Sequence, residues 1–243
     1  MLYDILTIMR KDLKEIIVQR GSLRSGLANI AVILAITGIL FPLQTGREWL
    51  TNPLGLISVV WLPLFMTMGL VADAFAGERE RHTLETLLAS RLSDQAVLFG
   101  KIAAAAVYGM AIALAGMMIG ALTINLQSPG AGFYPAAIFL GALIFTLLGA
   151  LLVTGLGVLV SLHAGTVRQA YQKMSLGFII LWLPLILGPM IFPERWLSQI
   201  SLWLAQIDLK QAAVLAGAAL AFLDAVLIGL AVKRFQRSRL ILD

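Results

Sequence analysis

The chain has 243 residues, 60% hydrophobic and only 13% charged, with a net charge of +5. Soluble domains carry about 25% charged residues, so an ordinary soluble enzyme or binding module is excluded and an integral membrane protein is implied. The basic residues are scattered at the ends of apolar segments rather than gathered on one face, which excludes nucleic acid as a partner. With no cysteine there is no disulfide and no thiolate metal site.

Residues 2–20 read as an amphipathic helix. Leu2, Ile5, Leu6, Met9, Leu13, Ile16 and Ile17 share one face, opposite Asp4, Lys11, Lys14 and Glu15. That pattern fits a helix lying in the headgroup plane. Charges interrupt residues 4–24, so no cleavable signal peptide is expected. The first span is expected over 26–43 and the second over 54–75, the latter kinked at Pro63. The third, over 102–124, carries Gly109, Ala113, Gly116 and Gly120 on one face, a ridge that lets another helix approach closely.

An uncharged loop at 125–132 leads to the fourth span, 134–162. A second polar loop is expected over 163–174, holding His163, Arg168, Gln169, Gln172 and Lys173. The fifth span, 175–191, contains Pro184 and Pro189 and is expected to be bent or broken. Residues 194–210 form a second amphipathic segment with Trp196 and Trp203 on its apolar face, suited to the headgroup level. The last span runs over 212–232. Asp224 lies near its middle, roughly 13 Å deep at 1.5 Å per residue. A carboxyl there must face the bundle, a wet cavity or a dimer partner, or else be protonated, and it serves as a substrate or ion contact or as a structural hydrogen bond.

The densest charge lies between the second and third spans, over 77–101. Glu78, Arg79, Glu80, Arg81 and His82 come in a row, and Glu85, Arg91, Asp94 and Lys101 follow. One central charge costs about 2.5–3.5 kcal/mol or more in hydrocarbon, so this stretch is expected in water. Leu84, Leu87, Leu88 and Leu92 form an apolar stripe on a helix, and Ser93 with Asp94 reads as the cap of the next one. Such a helix suits the docking of a soluble partner, or simply joins two spans.

The run Glu78-Arg79-Glu80, Thr83-Leu84-Glu85 and Leu87-Leu88-Ala89-Ser90 resembles the ERE-x-x-T-x-E-x-LL-x-S signature of ABC-2 type permeases. These are the membrane subunits of ATP-binding-cassette exporters. Where the family commonly has Pro after the Ser, this chain has Arg91, which leaves the docking helix free to continue. The resemblance implies an all-α membrane protein forming one domain over 1–243. Its parts would be six transmembrane helices, an interfacial helix over 1–24, a coupling helix over 77–95 and an external helix over 194–210. It further implies that Glu78, Arg79, Glu80, Arg81, Thr83, Leu84, Glu85, Leu87 and Leu88 couple the chain to a cytoplasmic ATPase subunit. A second permease chain, like or unlike, would complete the transporter, with lipid around it.

Of the 18 Lys and Arg, only Arg47, Arg195 and Lys210 fall on the side away from the charged stretch. The positive-inside bias then places both termini and that stretch in the cytoplasm, in a multi-pass protein of the cell (inner) membrane. No nucleotide loop is present. Gly100-Lys101 is the nearest echo of a Walker A motif, but Gln95 and Ile102 stand where Gly and Ser or Thr are required. ATP and Mg are therefore expected on the partner ATPase, and no cofactor, metal site or catalytic residue on this chain. The expected function is a permease exporting a substrate. The alternatives are a gradient-driven transporter or channel using Asp224, or a membrane scaffold that moves nothing.

Overall fold

The computed structural model describes residues 1–17, 23–52, 57–83, 91–191, 193, 195, 196, 198, 199, 202, 206 and 208–235. Among them every regular element is helical, as lipid requires of a chain whose backbone must satisfy its own hydrogen bonds. The elements are α1 (Leu2–Ile17), α2 (Leu23–Ala35), a π-helical turn (Ile36–Leu40), α3 (Phe41–Thr45), α4 (Glu48–Thr51), α5 (Ile57–Glu80), α6 (Asp94–Gln127), α7 (Ala136–Leu162), α8 (Val167–Ile191) and α9 (Leu209–Arg234). Among the described residues, five segments are long and apolar enough to cross a membrane: Gly26–Thr45, Val59–Glu80, Asp94–Gln127, Ala136–Leu162 and Leu209–Arg234.

The first of these is not a plain α-helix. Pro42 has no N–H to give Gly38, four residues back. The Thr123 hydroxyl of α6 lies 2.7 Å from the Gly38 carbonyl and 2.9 Å from that of Ile119, so the freed carbonyl gains a donor from the neighbouring helix. The small-residue ridge of α6 is what allows this approach. A Cβ at Gly116 would sit 2.8 Å from Thr37 Oγ1, and one at Gly120 would sit 2.9 Å from the Trp49 ring nitrogen.

α5 is the central helix, packed on α6, α7 and α8. Val71, Phe75, Leu98, Ile102, Val153 and Val158 join its lower half to α6 and α7, with Ile8 of α1 and Phe235 after α9 closing the cluster. At the other end Trp49 and Tyr134 form a second cluster with Met117 and Ile124, and Trp49 Nε1 donates to Tyr134 Oη at 3.1 Å. α9 packs on α7 and exposes Val214, Leu215 and Phe222.

Four expectations shift. α5 runs to Glu80, so Gly77, Glu78, Arg79 and Glu80 form its last turn and no new helix starts at 77. The polar loop expected over 163–174 is shorter, because α8 begins at Val167. Thr166 Oγ1 accepts from Gln169 N–H at 3.2 Å and Gln169 Oε1 accepts from Gly165 N–H at 2.9 Å, a reciprocal cap that nucleates the helix there. α8 is one continuous helix to Ile191, through Pro184 and Pro189, and is not broken. Leu209 and Lys210 belong to α9, which Asp208 caps by accepting from Lys210 N–H at 2.9 Å. The rest of the expected 194–210 helix lies largely outside the described residues; Arg195, Trp196, Ser198, Gln199 and Leu202 within it are helical.

Candidate functional site

The four charges that end α5 each reach a different element. Successive residues on a helix are turned by about 100°, so four in a row point around nearly the whole circumference. Glu78 faces α6 and α1. Its Oε1 accepts from Lys101 Nζ at 2.9 Å and from Lys11 Nζ at 3.5 Å. Lys101 also lies 3.5 Å from Asp12 Oδ2, and 5.4 Å from the centre of the Phe75 ring. Glu78 and Lys101 are only 3% and 5% exposed.

Arg79 turns to α7. Its guanidinium donates to the Leu162 carbonyl at 3.0 Å and to that of Ala164 at 3.3 Å. These are orphan acceptors at the negative end of the helix dipole, where a cation is favoured. Glu80 turns to α8, and its Oε2 accepts from Val167 N–H at 3.1 Å, at that helix's positive end. Arg81 folds back along α5 to Asp73, donating to both carboxylate oxygens at 3.1 and 3.2 Å. A Cβ at Gly77 would collide with that pair, so glycine leaves the path between them open.

α5 stops at once beyond Glu80. His82 takes a left-handed conformation at φ 55°, His82 N–H donates to the Arg79 backbone carbonyl at 3.1 Å, and Thr83 N–H donates to the Glu78 backbone carbonyl at 2.8 Å. This is a Schellman motif with His in the position Gly usually takes. Thr83 Oγ1 lies 3.3 Å from the same Glu78 carbonyl. Leu84, Glu85, Leu87 and Leu88 lie outside the described residues. Ser93 accepts from Ala96 N–H at 3.2 Å, capping α6 with Asp94 in its first turn.

α1 is fastened across this end of the bundle. Ile8 packs on Gly100, where any Cβ would lie 2.7 Å from Ile8 Cβ, so the Gly-Lys pair of α6 seats α1. Burial pushes the Asp12 carboxyl up from its ordinary range, although Lys101 and Lys11 pull the other way. Burial works to lower Lys11, but Glu78, Glu15 and Asp12 outweigh it and hold its pKa up. The hydrogen bond to Asp73 raises Arg81.

A cleft of about 1020 Å³ opens beside this cluster, between α1, α5, α6 and α7. Asp12, Glu78 and Lys101 line it together with Leu70, Ala104 and Val158. Asp224 stands apart on α9. It is 3% exposed, and neither carboxylate oxygen has a hydrogen-bond partner among the described residues. Thr37, Thr67 and Thr146 bond to carbonyls of their own helices, at Ile33, Leu64 and Ala142.

The sequence reading missed Asp12 and the joining of Lys101 to Glu78. Two signals were present: Asp12 falls one turn after Ile8, on the stripe that packs, and Lys101 is the one charge between residues 95 and 123.

No curated protein matches this chain closely enough to be aligned with it. The family model for ABC-2 type transporters matches residues 3–228, nearly the whole length, and takes in α1 from Tyr3, the cluster that ends α5, four of the five apolar segments and the last one as far as Ile228. The chain therefore belongs to the ABC-2 type transporter family, as a transmembrane permease of an ABC transporter.

Proposed function

We propose that this permease exports its substrate using ATP hydrolysed by separate cassette ATPase subunits, which bind the segment following α5. The family match carries the reading, and the charge cluster supports it. A push on residues 84–92 would act on the end of α5. From there it would pass through Glu78 to α1 and α6, through Arg79 to α7 and through Glu80 to α8. One short turn would then shift four elements as a body. ATP and Mg would sit on the ATPase, and this chain would supply docking and a path.

In this reading two permease chains, like or unlike, enclose the path within a single domain of six spans each. The span additional to the five apolar segments is the fifth in chain order, 175–191 in the later part of α8, a stretch that contains no charged residue. Both termini face the cytoplasm in the cell membrane, following the bias of Lys and Arg. A gradient-driven transporter remains the second reading, because Asp224 is a buried carboxyl with no hydrogen-bond partner among the described residues.

Pull-down from detergent tests the proposal. A cassette ATPase is expected to co-purify, and its turnover to change with Leu87→Asp, which puts a charge on the apolar stripe. If the chain purifies alone, and added cassette ATPases neither bind nor respond, the proposal fails. Transport that survives without nucleotide and stops in Asp224→Asn would favour the gradient reading.

A further inference from the structure

We propose that the groove between α8 and α9 binds an anionic phospholipid, its phosphate at the end of the groove where α9 stops. Both helices pack on α7 but scarcely on each other among the described residues. Three successive residues of α7 show the gap. A Cβ at Gly155 would lie 3.0 Å from Leu227 of α9, and one at Gly157 would lie 2.7 Å from Met174 of α8. Leu156 is turned about 100° from each, between the two neighbours, and is 45% exposed. Leu223, Val226 and Leu230 are exposed along one flank of α9, and Arg234 follows them on that flank.

His163 stands about two turns beyond Leu156 on the same face, at the mouth of the groove. Its Nδ1 lies 2.8 Å from the Leu159 carbonyl, which only accepts, so Nδ1 carries the hydrogen and Nε2 accepts from Arg234 at 3.1 Å. An uncharged acceptor thus orients the guanidinium at the mouth and leaves its charge intact. Lys233 beside it, and Arg168 and Lys173 in the first two turns of α8, are exposed. None of these four cations has a carboxylate partner among the described residues, whereas Lys11, Arg81 and Lys101 each have one. Glu80, the acidic residue that reaches this end of α8, is turned to the Val167 N–H. Unpaired cations at one end of an apolar groove match a phospholipid: phosphate among the cations, acyl chains along Leu156 and the flank of α9. A zwitterionic lipid brings an ammonium of its own among those cations, so the fit is to a headgroup with net negative charge. A lipid seated there would join α8 to α9.

The inference needs only spans that cross a membrane and does not rest on the ATPase reading. The experiment titrates purified, delipidated permease in detergent with phosphatidylglycerol, or with phosphatidylcholine of the same acyl chains. Native mass spectrometry reads the bound lipid. Phosphatidylglycerol is expected to bind at least fivefold more tightly. Lys233→Gln/Arg234→Gln and Arg168→Gln/Lys173→Gln are each expected to remove most of that preference. Arg10→Gln/Lys14→Gln takes the same charge from the exposed face of α1 and is expected to keep it. Leu156→Trp fills the floor with every cation in place and is expected to weaken phosphatidylglycerol binding. Melting curves establish that each variant is folded. Equal affinity for the two lipids overturns the proposal, as does equal loss in all three double variants, which would mean attraction to net charge alone. Unchanged binding by folded Leu156→Trp, or displacement of the lipid by an equal concentration of free glycerol phosphate, overturns it too, the latter in favour of a soluble anion. Because no ATPase is present, each of these results leaves the export reading standing.

Discussion

Lys101 Nζ sits 2.9 Å from Glu78 Oε1, and the two side chains are almost wholly withdrawn from solvent. The pair joins the end of one apolar helix to the start of another. Breaking a buried pair strands the remaining charge, which costs about 3–5 kcal/mol. Lys101→Met and Glu78→Gln are each expected to destabilise the protein on that scale in thermal melts in detergent. The double variant is expected to lose less than the sum, because neither member of the pair is left facing an absent partner, and the charges that each also touched, Asp12 and Lys11, are opposite in sign. Strictly additive losses would show that the two residues do not act as a pair. Glu78 is thus an internal tie, and Leu87→Asp is the better substitution for a docking experiment.

Arg79 and Glu80 are expected to matter through the helices they cap. A hydrogen bond to a charged group contributes about 1.5–3 kcal/mol when buried. Arg79 is half-buried and Glu80 is exposed, so the expected losses are smaller: about 1–2 kcal/mol for Arg79→Ala and below about 1 kcal/mol for Glu80→Ala. The readout is local. Amide exchange should rise at residues 162–169, where α7 ends and α8 begins, before it rises in α6. Uniform acceleration across the bundle would count against a capping role.

Much of this architecture could be read from the residues, and the failures have physical causes. The ridge of Gly109, Gly116 and Gly120 announced close packing, and Ser93 announced the start of α6, because each depends on local chemistry alone. The role of residues 78–81 was not legible. Five ionisable residues in a row read as water-facing, but the helix continues past Phe75 and inserts those charges among the ends of its neighbours. Only the tertiary partners (Lys101, the Leu162 carbonyl and the Val167 amide) reveal that Glu78 is buried and that Arg79 and Glu80 reach the ends of neighbouring helices. The π-helical turn had a similar cause, since Pro42 was visible but the rescue by Thr123 was not.

Asp12 gives the protein a pH dependence with a definite sign. Burial raises its pKa in the folded chain above the ordinary 3.8, so folding favours the protonated form. Its contribution is complete below the ordinary carboxylate value and is lost as pH rises through the raised one. Lys11 is also raised, so its contribution persists to about its ordinary 10.5 and is lost only above that. Between pH 4 and 7 the Asp12 effect is therefore the one of the two that changes. Asp12→Asn is expected to flatten the fall in melting temperature over that interval. A variant that keeps the wild-type slope would assign the dependence to another group.

Asp224 is expected to lower stability rather than contribute to it. Its two carboxylate oxygens are buried on α9, where the helix packs on α7, and neither finds a donor among the described residues. A buried polar group without a partner costs about 1–3 kcal/mol. Asp224→Val removes the polar atoms and keeps the site apolar, and should raise the unfolding free energy by about that amount. Such a cost persists in a protein when the group has work to do, so the informative measurement pairs stability with transport. A stabilised variant that still transports with ATP would make Asp224 dispensable to the path. A stabilised variant that no longer transports would place the carboxyl on it. If Asp224→Val instead unfolds at lower temperature, the carboxyl has a partner in the assembled transporter, and the contact surface of α9 becomes the place to look for it.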